Sequence, residues 1–158
     1  MDNLTNSIDQ VVQENVLPHE WPKEVLAELK NLEVKNNKRD DLRKIPFVTI
    51  DGKDAKDFDD AVFCESSKDG FDLQVAIADV AEIVKQDSSI DKEALLRGTS
   101  IYFPKRVIPM LPEEISNNLC SLIPNEDRNV LVCKINYSKE GEINSYEFSE
   151  AVIHSHKR

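Results

Sequence analysis

The sequence predicts an α+β fold in which a mixed, mainly antiparallel sheet is flanked by peripheral helices. The chain has 158 residues, 40% hydrophobic and 32% charged, which is enough for one globular domain with a substantial core. Helical periodicity dominates the first 40 residues, whereas short apolar runs separated by turn residues dominate from Leu42 onward. We therefore expect a central sheet with its main helices at the periphery.

Residues 1–40 are predicted to form a helical N-terminal arm. Pro22 suits the first position of a helix because its missing N–H is not needed there. Four apolar residues then follow a helical period: Val25, Leu26, Leu29 and Leu32. The polar residues 36–38 end the pattern, and Trp21 is expected to anchor the arm by packing.

Strand signals follow the arm. Apolar or alternating runs predict strands at 47–51, 61–65 and 71–79, separated by turn residues near Lys53 and Gly70. Two further runs, 130–137 and 143–153, flank a short polar segment that ends in Gly141. Such a pattern is typical of a β-hairpin.

Two helices are predicted within this strand-rich region. The first covers residues 89–97, with Ser88 or Ser89 as its N-cap and Gly98 after its last turn. The second covers residues 112–121, with proline at its first position and two glutamates in its first turn, where the helix dipole favours negative charge.

The segment 51–60 carries five aspartates in ten residues: Asp51, Asp54, Asp57, Asp59 and Asp60. Carboxylates this close repel one another unless positive charge compensates them, and oxygen ligands suit hard cations such as Mg²⁺ or Mn²⁺. A bend is required, because an extended chain would direct Asp57 and Asp59 to one side and Asp60 to the other. With such a bend, Asp51 converges with Asp57, Asp59 and Asp60, while Asp54 points to solvent. This arrangement is typical of metal-assisted attack on a phosphodiester.

Two other interpretations of the aspartates were considered. An EF-hand calcium loop starting at Asp51 does not fit, because Lys53, Ala55 and Lys56 occupy positions that need oxygen ligands or glycine. A solvated acidic loop in an acidic protein remains the alternative that the residues alone leave open.

Charge and cysteine content restrict the function further. The net charge of −10 and the lack of a basic stripe argue against a free-standing nucleic-acid-binding module. Cys64, Cys120 and Cys133 are widely spaced among apolar residues, so we predict buried, reduced thiols in a cytoplasmic protein, and no zinc site. No secretory leader and no apolar run long enough for a membrane span is evident in the sequence.

Eight segments in this order resemble the start of the catalytic domain of the ribonuclease II family. They are DLR (41–43), FVTIDG (47–52), DFDDAV (57–62), VAIADV (75–80), RGTSIYFP (97–104), IPMLPE (108–113), NLCSLIP (118–124) and DR (127–128). The likeness extends from about Pro18 to Arg158 and does not depend on any single motif.

The resemblance implies a hydrolytic, Mg²⁺-dependent exoribonuclease, with Mn²⁺ as an alternative ion. Such an enzyme degrades single-stranded RNA from the 3′ end and releases nucleoside 5′-monophosphates. The family's metal-holding aspartates match Asp51, Asp57, Asp59 and Asp60. We assign Asp51 and Asp60 as direct metal ligands, Asp59 as the residue tied to water activation or a second metal, and Asp57 as a ligand or orienting group.

Two further positions match the family pattern. Tyr102 matches a tyrosine that contacts the 3′-terminal nucleotides, although by its neighbours alone it would be a core or edge-strand residue. Asp79 also matches a recurring position, which we interpret as structural because an aspartate at a strand end commonly caps a turn.

The resemblance divides the chain into an arm (1–40) and an N-terminal portion of the catalytic domain (41–158). The family's flanking OB-fold domains and its later arginine and glutamate find no match here. We therefore expect a metal site whose phosphate-binding surface comes from a continued reading frame or a second chain. The alternative is a non-catalytic remnant that binds a metal or a partner.

Overall fold

A computed structural model describes residues 3–34, 38–53 and 55–158. The chain forms two compact units. The first unit comprises the described residues up to Leu32 together with Val84–Pro112, and the second comprises Glu33–Ile83 and Glu113–Arg158. The boundary between arm and catalytic portion near residue 40 stays a prediction.

The residues that the structure describes form seven strands, four α-helices and one π-helix. The strands are β1 (Asp40–Asp41), β2 (Asp60–Ser67), β3 (Gly70–Ala78), β4 (Ile101–Phe103), β5 (Arg106–Ile108), β6 (Asp127–Ser138) and β7 (Ile143–His154). The helices are α1 (Asn3–Glu14), α2 (Lys23–Leu29), α3 (Val80–Ile83), α4 (Ser89–Arg97) and the π-helix Ile115–Leu119. No helix in the described ranges is long and apolar enough to cross a membrane.

The second unit is built on a five-stranded sheet in the order β1-β7-β6-β3-β2. The β2–β3, β3–β6 and β6–β7 pairs are antiparallel, and only the short β1 pairs with β7 in parallel. The predicted α+β class with a mixed, mainly antiparallel sheet is therefore confirmed.

The predicted β6–β7 hairpin is present, and the strands predicted at 61–65 and 71–79 pair as a second hairpin, β2–β3. The turn between β2 and β3 ends at Gly70, where any side chain would collide with the backbone carbonyl of Tyr137 on the neighbouring β6. The turn between β6 and β7 contains Gly141, whose φ of 87° suits glycine. A register shift at Asn136 and Tyr137 marks a bulge in the β6–β7 pair.

The strand predicted at 47–51 is not formed. Only Val48 takes part in β-bridges, to Val62 on one side and to Lys157 on the other, and Ile50 is already exposed. A strand requires partners that stay in register over several residues, which an apolar run cannot show by itself. The residues that precede Asp51 therefore approach it as irregular chain.

The first unit contains α1, α2, α4 and the β4–β5 ribbon. The α4 helix has the predicted bounds: Ser88 is its N-cap and accepts from the Asp91 N–H, and Gly98 follows its last residue with φ 71°. Glu28 of α2 also accepts from the N–H groups of Ser89 and Ile90, at 2.7 and 3.2 Å, so two helices meet at this end.

Two helix predictions need correction. Pro22 lies just before α2, at the N-cap position, and the helix ends at Leu29, before the predicted Leu32. The segment 112–121 forms a π-helix at Ile115–Leu119, in which the Cys120 N–H donates to the Ile115 carbonyl at 2.9 Å. Apolar periodicity does not distinguish this wider turn from an α-helix, because both follow from similar residue types.

The cysteine prediction is only partly right. Cys120 is buried and Cys133 is half-buried, but Cys64 is exposed; all three thiols are free. Alternation along β2 separates Cys64 from the buried Ala61 and places it on the opposite face of the sheet.

Candidate functional site

The acidic loop, residues 51–60, leads into the edge strand β2 of the second unit. The Asp59 carbonyl accepts from the Ala78 N–H at 2.9 Å, and Asp60 is in register with Ile77. The loop is therefore joined at its end to the last residues of β3.

The buried Ser121 holds the middle of the loop. Its Oγ accepts from the Phe58 N–H at 3.0 Å and donates to the Lys56 carbonyl at 2.8 Å. The neighbouring Leu122 N–H donates to the Phe58 carbonyl at 2.9 Å. Three hydrogen bonds from one short segment thus set the backbone that carries Asp57 and Asp59.

Phe58 is the apolar anchor of the loop. Its side chain is buried, whereas Asp57 is half-buried and the side chains of Asp51, Asp59 and Asp60 are exposed. The Arg158 guanidinium lies 4.9 Å from the centre of the Phe58 ring and donates a hydrogen bond to the Gly52 carbonyl. A cation therefore lies beside the acidic loop, in a position that favours cation–π attraction.

The carboxylates of the loop interact electrostatically. The pKa of Asp59 is raised above its ordinary value, first by partial loss of hydration and then by the negative charges of Asp57, Asp60 and Asp51. Although Asp59 is exposed as a residue, its carboxyl has enough protein around it to favour the neutral form. Positive charge at this point would relieve the repulsion.

The side chains do not form a complete metal cage. Within the described ranges, no three or more His, Cys, Asp or Glu side chains are arranged so that they could hold one ion. Asp54, which we expected to point to solvent, lies outside the described residues. Partial loss of hydration and the neighbouring carboxylates thus raise the pKa of Asp59. The assignment of Asp51, Asp57, Asp59 and Asp60 as metal ligands stays a prediction.

Replacing Ser121 by alanine should destabilise the chain by about 1–3 kcal/mol, because the substitution leaves two backbone groups of the loop without their partner. Urea denaturation monitored by circular dichroism measures the change. Ser116→Ala in the π-helix is the matched control, since the Ser116 hydroxyl contacts only the side chain of Asn117, at 3.3 Å. Equal stabilities of the two variants would contradict the anchoring role of Ser121.

Asp79 is structural, as predicted. Its Oδ1 accepts from the Glu82 N–H at 3.2 Å and so caps α3. Its Oδ2 lies 2.6 Å from Nη2 of Arg39, which is also 3.4 Å from a Glu82 carboxylate oxygen. All three side chains are at least nine-tenths buried, so this ion network secures the end of β3 below the acidic loop.

Tyr102 belongs to the first unit and lies in β4, opposite Val107 of β5. Its side chain is 69% exposed, so it is not a core residue. The ribbon is held at its base by Ser100, whose Oγ accepts from the Met110 N–H at 3.0 Å. This exposed position agrees with a contact to a ligand.

Arg97 organises the chain around this ribbon. Its guanidinium donates to Glu93 at 2.8 Å, to the Pro109 carbonyl at 3.0 Å and to the Glu20 carbonyl at 2.8 Å. It also lies 3.6 Å from the centre of the Trp21 ring. Trp21 therefore packs within the first unit, as expected of an anchoring residue.

The burial of Cys120 and the contact of His154 with Asp127 both shift pKa values in the second unit. Burial, followed by the charges of Asp59 and Asp79, raises the pKa of Cys120 to about 11, so the thiol is protonated and a poor nucleophile at neutral pH. His154 Nδ1 lies 2.8 Å from Asp127, and this contact, with a smaller contribution from Arg43, lowers the pKa of Asp127.

Three supporting residues were not identified from the sequence: Ser121, Arg39 and Arg158. Ser121 lies within a family-like segment, which was a usable signal, but its role depends on a contact 63 residues away. Arg39 and Arg158 were visible only as members of short basic pairs. Their partners come from distant parts of the chain.

Comparison with known proteins identifies the relatives of this chain. A family model described as the RNB domain matches residues 39–158. Ribonuclease R of Vibrio parahaemolyticus is 52% identical over 153 residues, which cover 93% of this chain and 18% of the relative. The predicted resemblance to ribonucleases of this type is therefore confirmed.

Solved structures agree with the sequence comparison. Mycoplasma genitalium RNase R in complex with double-stranded RNA has a TM-score of 0.94 and 37% identity, covering 99% of this chain and 29% of that one. The complex of the same protein with ribose-methylated single-stranded RNA gives 0.93. Yeast Ssd1, a pseudonuclease, shares the fold at 18% identity and a TM-score of 0.67. The chain thus spans less than a third of the Vibrio and Mycoplasma relatives.

Proposed function

This chain belongs to the RNB-domain family, and we propose that it supplies the acidic part of the active site of a hydrolytic 3′-to-5′ exoribonuclease. The observation that carries this proposal is the acidic loop, in which partial loss of hydration and then the charges of three neighbouring carboxylates raise the pKa of Asp59. The similarity to ribonuclease R from Vibrio parahaemolyticus and Mycoplasma genitalium supports the reaction class.

The donor set of the loop fits a hard divalent cation. Its groups are carboxylate oxygens, whose mutual repulsion a cation relieves. Asp51, Asp57, Asp59 and Asp60 would hold Mg²⁺, with Mn²⁺ as an alternative. When bound, the ion would lower the pKa of a water molecule and neutralise charge that develops on the scissile phosphate.

The other residues of the acidic loop and its anchor have separate roles in the proposed hydrolysis. Asp59, with the raised pKa, is suited to orient the attacking water and accept its proton, while Asp57 would serve as a ligand or orienting group. Phe58 and Ser121 keep the loop from rearranging as charge builds up. Hydrolysis at the last phosphodiester of single-stranded RNA would release a nucleoside 5′-monophosphate.

The exposed Tyr102 is proposed to contact the 3′-terminal nucleotides. An aromatic ring can stack on any base, which suits an enzyme that proceeds along RNA of varied sequence. Mycoplasma genitalium RNase R has been solved with single-stranded RNA, which agrees with such a substrate.

This chain alone is expected to be nearly inactive. Its net charge of −10 opposes RNA, and one stacking contact contributes only about 1–3 kcal/mol. The rest of the catalytic cleft would come from a continued frame or a second chain. The alternative function, a non-catalytic metal- or partner-binding module, is favoured by the same acidic charge and by the pseudonuclease that shares the fold.

A chimera tests the proposed activity. In Vibrio parahaemolyticus ribonuclease R, the matched 153-residue segment is replaced by this chain. With Mg²⁺, the chimera should shorten 5′-labelled single-stranded RNA from its 3′ end and release mononucleotides, whereas the isolated chain should not. Internal cleavage as the first event, or unchanged cleavage in EDTA, would rule out the proposed reaction.

Metal binding gives a separate prediction for the isolated chain. Mn²⁺ titration followed by water-proton relaxation should show a site that Asp59→Asn weakens, because one negative ligand is removed. Without metal, the variant should be as stable as the wild type or more stable at pH 7, since the raised pKa of Asp59 means that its ionisation opposes folding. This difference should vanish as the pH falls below the ordinary aspartate pKa, about 3.9. Equal Mn²⁺ affinities would contradict the site.

A further inference from the structure

The two faces of the sheet in the second unit carry apolar residues of different size. One face holds small buried side chains, including Ala61, Ala76 and Val132, which are in register across β2, β3 and β6. Towards the end nearest the hairpin turns, the same face becomes polar, with Lys134 paired to Glu147 at 3.4 Å. Phe63 also lies on this face and contacts the buried Phe47, with ring centroids 6.3 Å apart, whereas the other large apolar side chains of these three strands lie on the opposite face.

The outer apolar face is defined by five exposed residues: Phe71, Ile77, Leu131, Tyr146 and Phe148. Their exposed fractions range from 46% to 73%. Ile77 is directly opposite Leu131, and Val75 and Cys133 continue the register to Phe148. The rings of Tyr146 and Phe148 touch edge to face with centroids 5.8 Å apart, which confirms that they share this side of β7.

The size of this face exceeds what scattered surface residues explain. Strands about 4.8 Å apart and about 20 Å long give an apolar area of roughly 300–400 Å². An apolar patch of this size is comparable with the largest one on a typical monomeric protein, and such patches are often functional. Side-chain alternation is strict in a strand, so the large residues lie on this side by sequence and not by a local distortion.

The charged residues on the outer apolar face favour a polypeptide over RNA as its binding partner. In β2, β3 and the central parts of β6 and β7, all of which the structure describes, no lysine or arginine occupies a position on this face. The charged residues in these registers are Asp60 and Glu150, beside Ile77 and Leu131 respectively. The phosphates of RNA would be repelled by these carboxylates, whereas an uncharged apolar polypeptide segment would not be repelled.

We infer that the outer apolar face docks a polypeptide segment of the kind that longer RNB-domain proteins carry outside the span of this chain. The Vibrio relative provides ample candidates, because this chain spans only 18% of it. Asp60 shares the face with Ile77, so the docked segment reaches the acidic loop and can supply groups beside it. The inference rests on family membership and deepens the proposed function by naming the surface through which the site is completed.

Native thiols allow a test that does not involve RNA. Cys64 is exposed and in register with Leu73 on the outer apolar face, while Cys120 is buried elsewhere in the same unit. In the isolated chain, a maleimide reagent should label Cys64 quickly and Cys120 slowly. In the chimera described above, labelling of Cys64 should slow about tenfold or more, because docked polypeptide excludes the reagent.

A pair of matched variants of β7 locates the contact. Phe148→Asp places a charge on the outer face, and Ser145→Asp places the same charge on the opposite face of the same strand. In the chimera, Phe148→Asp should restore rapid labelling of Cys64 and lower the melting temperature, whereas Ser145→Asp should do neither. In the isolated chain both variants should unfold like the wild type, which confirms that the effect arises from docking.

Several results would overturn the inference. One is equally rapid labelling of Cys64 in the chimera and in the isolated chain. This result counts against the inference even if Cys120 also becomes reactive in the chimera. Another is protection of Cys64 in the isolated chain that increases with protein concentration, which would show a second copy on the face. A third is loss of single-stranded RNA binding in Phe148→Asp of the isolated chain. Because labelling is done in EDTA without RNA, a chimera that protects Cys64 but fails to cleave RNA contradicts only the proposed activity.

Discussion

Replacing Asp59 by asparagine in the chimera is expected to reduce RNA cleavage by about two to three orders of magnitude and to change RNA binding little. Partial burial and then the charges of the other three aspartates raise the pKa of Asp59, so positive charge nearby would favour its ionised form. Loss of this charge acts mainly on the transition state, in which the attacking water and the phosphate bear new charge.

The measurement compares single-turnover cleavage of 5′-labelled single-stranded RNA with equilibrium binding in Ca²⁺ or EDTA. Asp69→Asn is the matched control, because Asp69 is an exposed aspartate in the β2–β3 turn and lies outside the acidic loop. The control should cleave at the wild-type rate. Wild-type cleavage by Asp59→Asn would remove Asp59 from the mechanism, and a matching loss of binding would assign it to substrate contact.

Replacing Arg39 by methionine is expected to destabilise the isolated chain by about 3–5 kcal/mol. The guanidinium is 2% exposed and bridges the buried carboxylates of Asp79 and Glu82. Removing it takes away the cation that lies 2.6 Å from the buried Asp79 carboxylate, which is more unfavourable than removing the whole network. Urea denaturation at neutral pH gives the free energy of unfolding directly.

Arg43→Met is the matched control, because it removes exposed ion pairs where Arg39→Met removes buried ones. Arg43 contacts Asp41 at 2.7 Å and Asp127 at 3.1 Å, but its side chain is about half exposed, so the free energy of unfolding should change much less than in Arg39→Met. Adding Asp79→Asn to Arg39→Met should recover part of the lost stability. If both arginine variants unfold alike, burial of the Arg39 network has no energetic consequence.

Local sequence signals were sufficient where a structure depends on residues close in the chain. The α4 helix has its predicted bounds because Ser88 and Gly98 supply its caps locally. The β6–β7 hairpin follows from two apolar runs and the turn before Gly141. The crowding of the aspartates is likewise a property of ten consecutive residues, so their mutual repulsion was predictable before the fold was known.

By itself, the sequence determined the α+β class, the main hairpins, the family resemblance and the residues that carry the proposed chemistry. Only the tertiary structure decided that 47–51 is not a strand, that Ser121 anchors the acidic loop and that Arg39 neutralises buried Asp79. It also showed that the larger apolar residues of β7 face outward. The physical reason is the separation along the chain of the residues that interact. Periodicity and capping depend on neighbours a few residues apart. Hydrogen-bond pairing, ion pairing and burial depend on which distant segments the fold brings together.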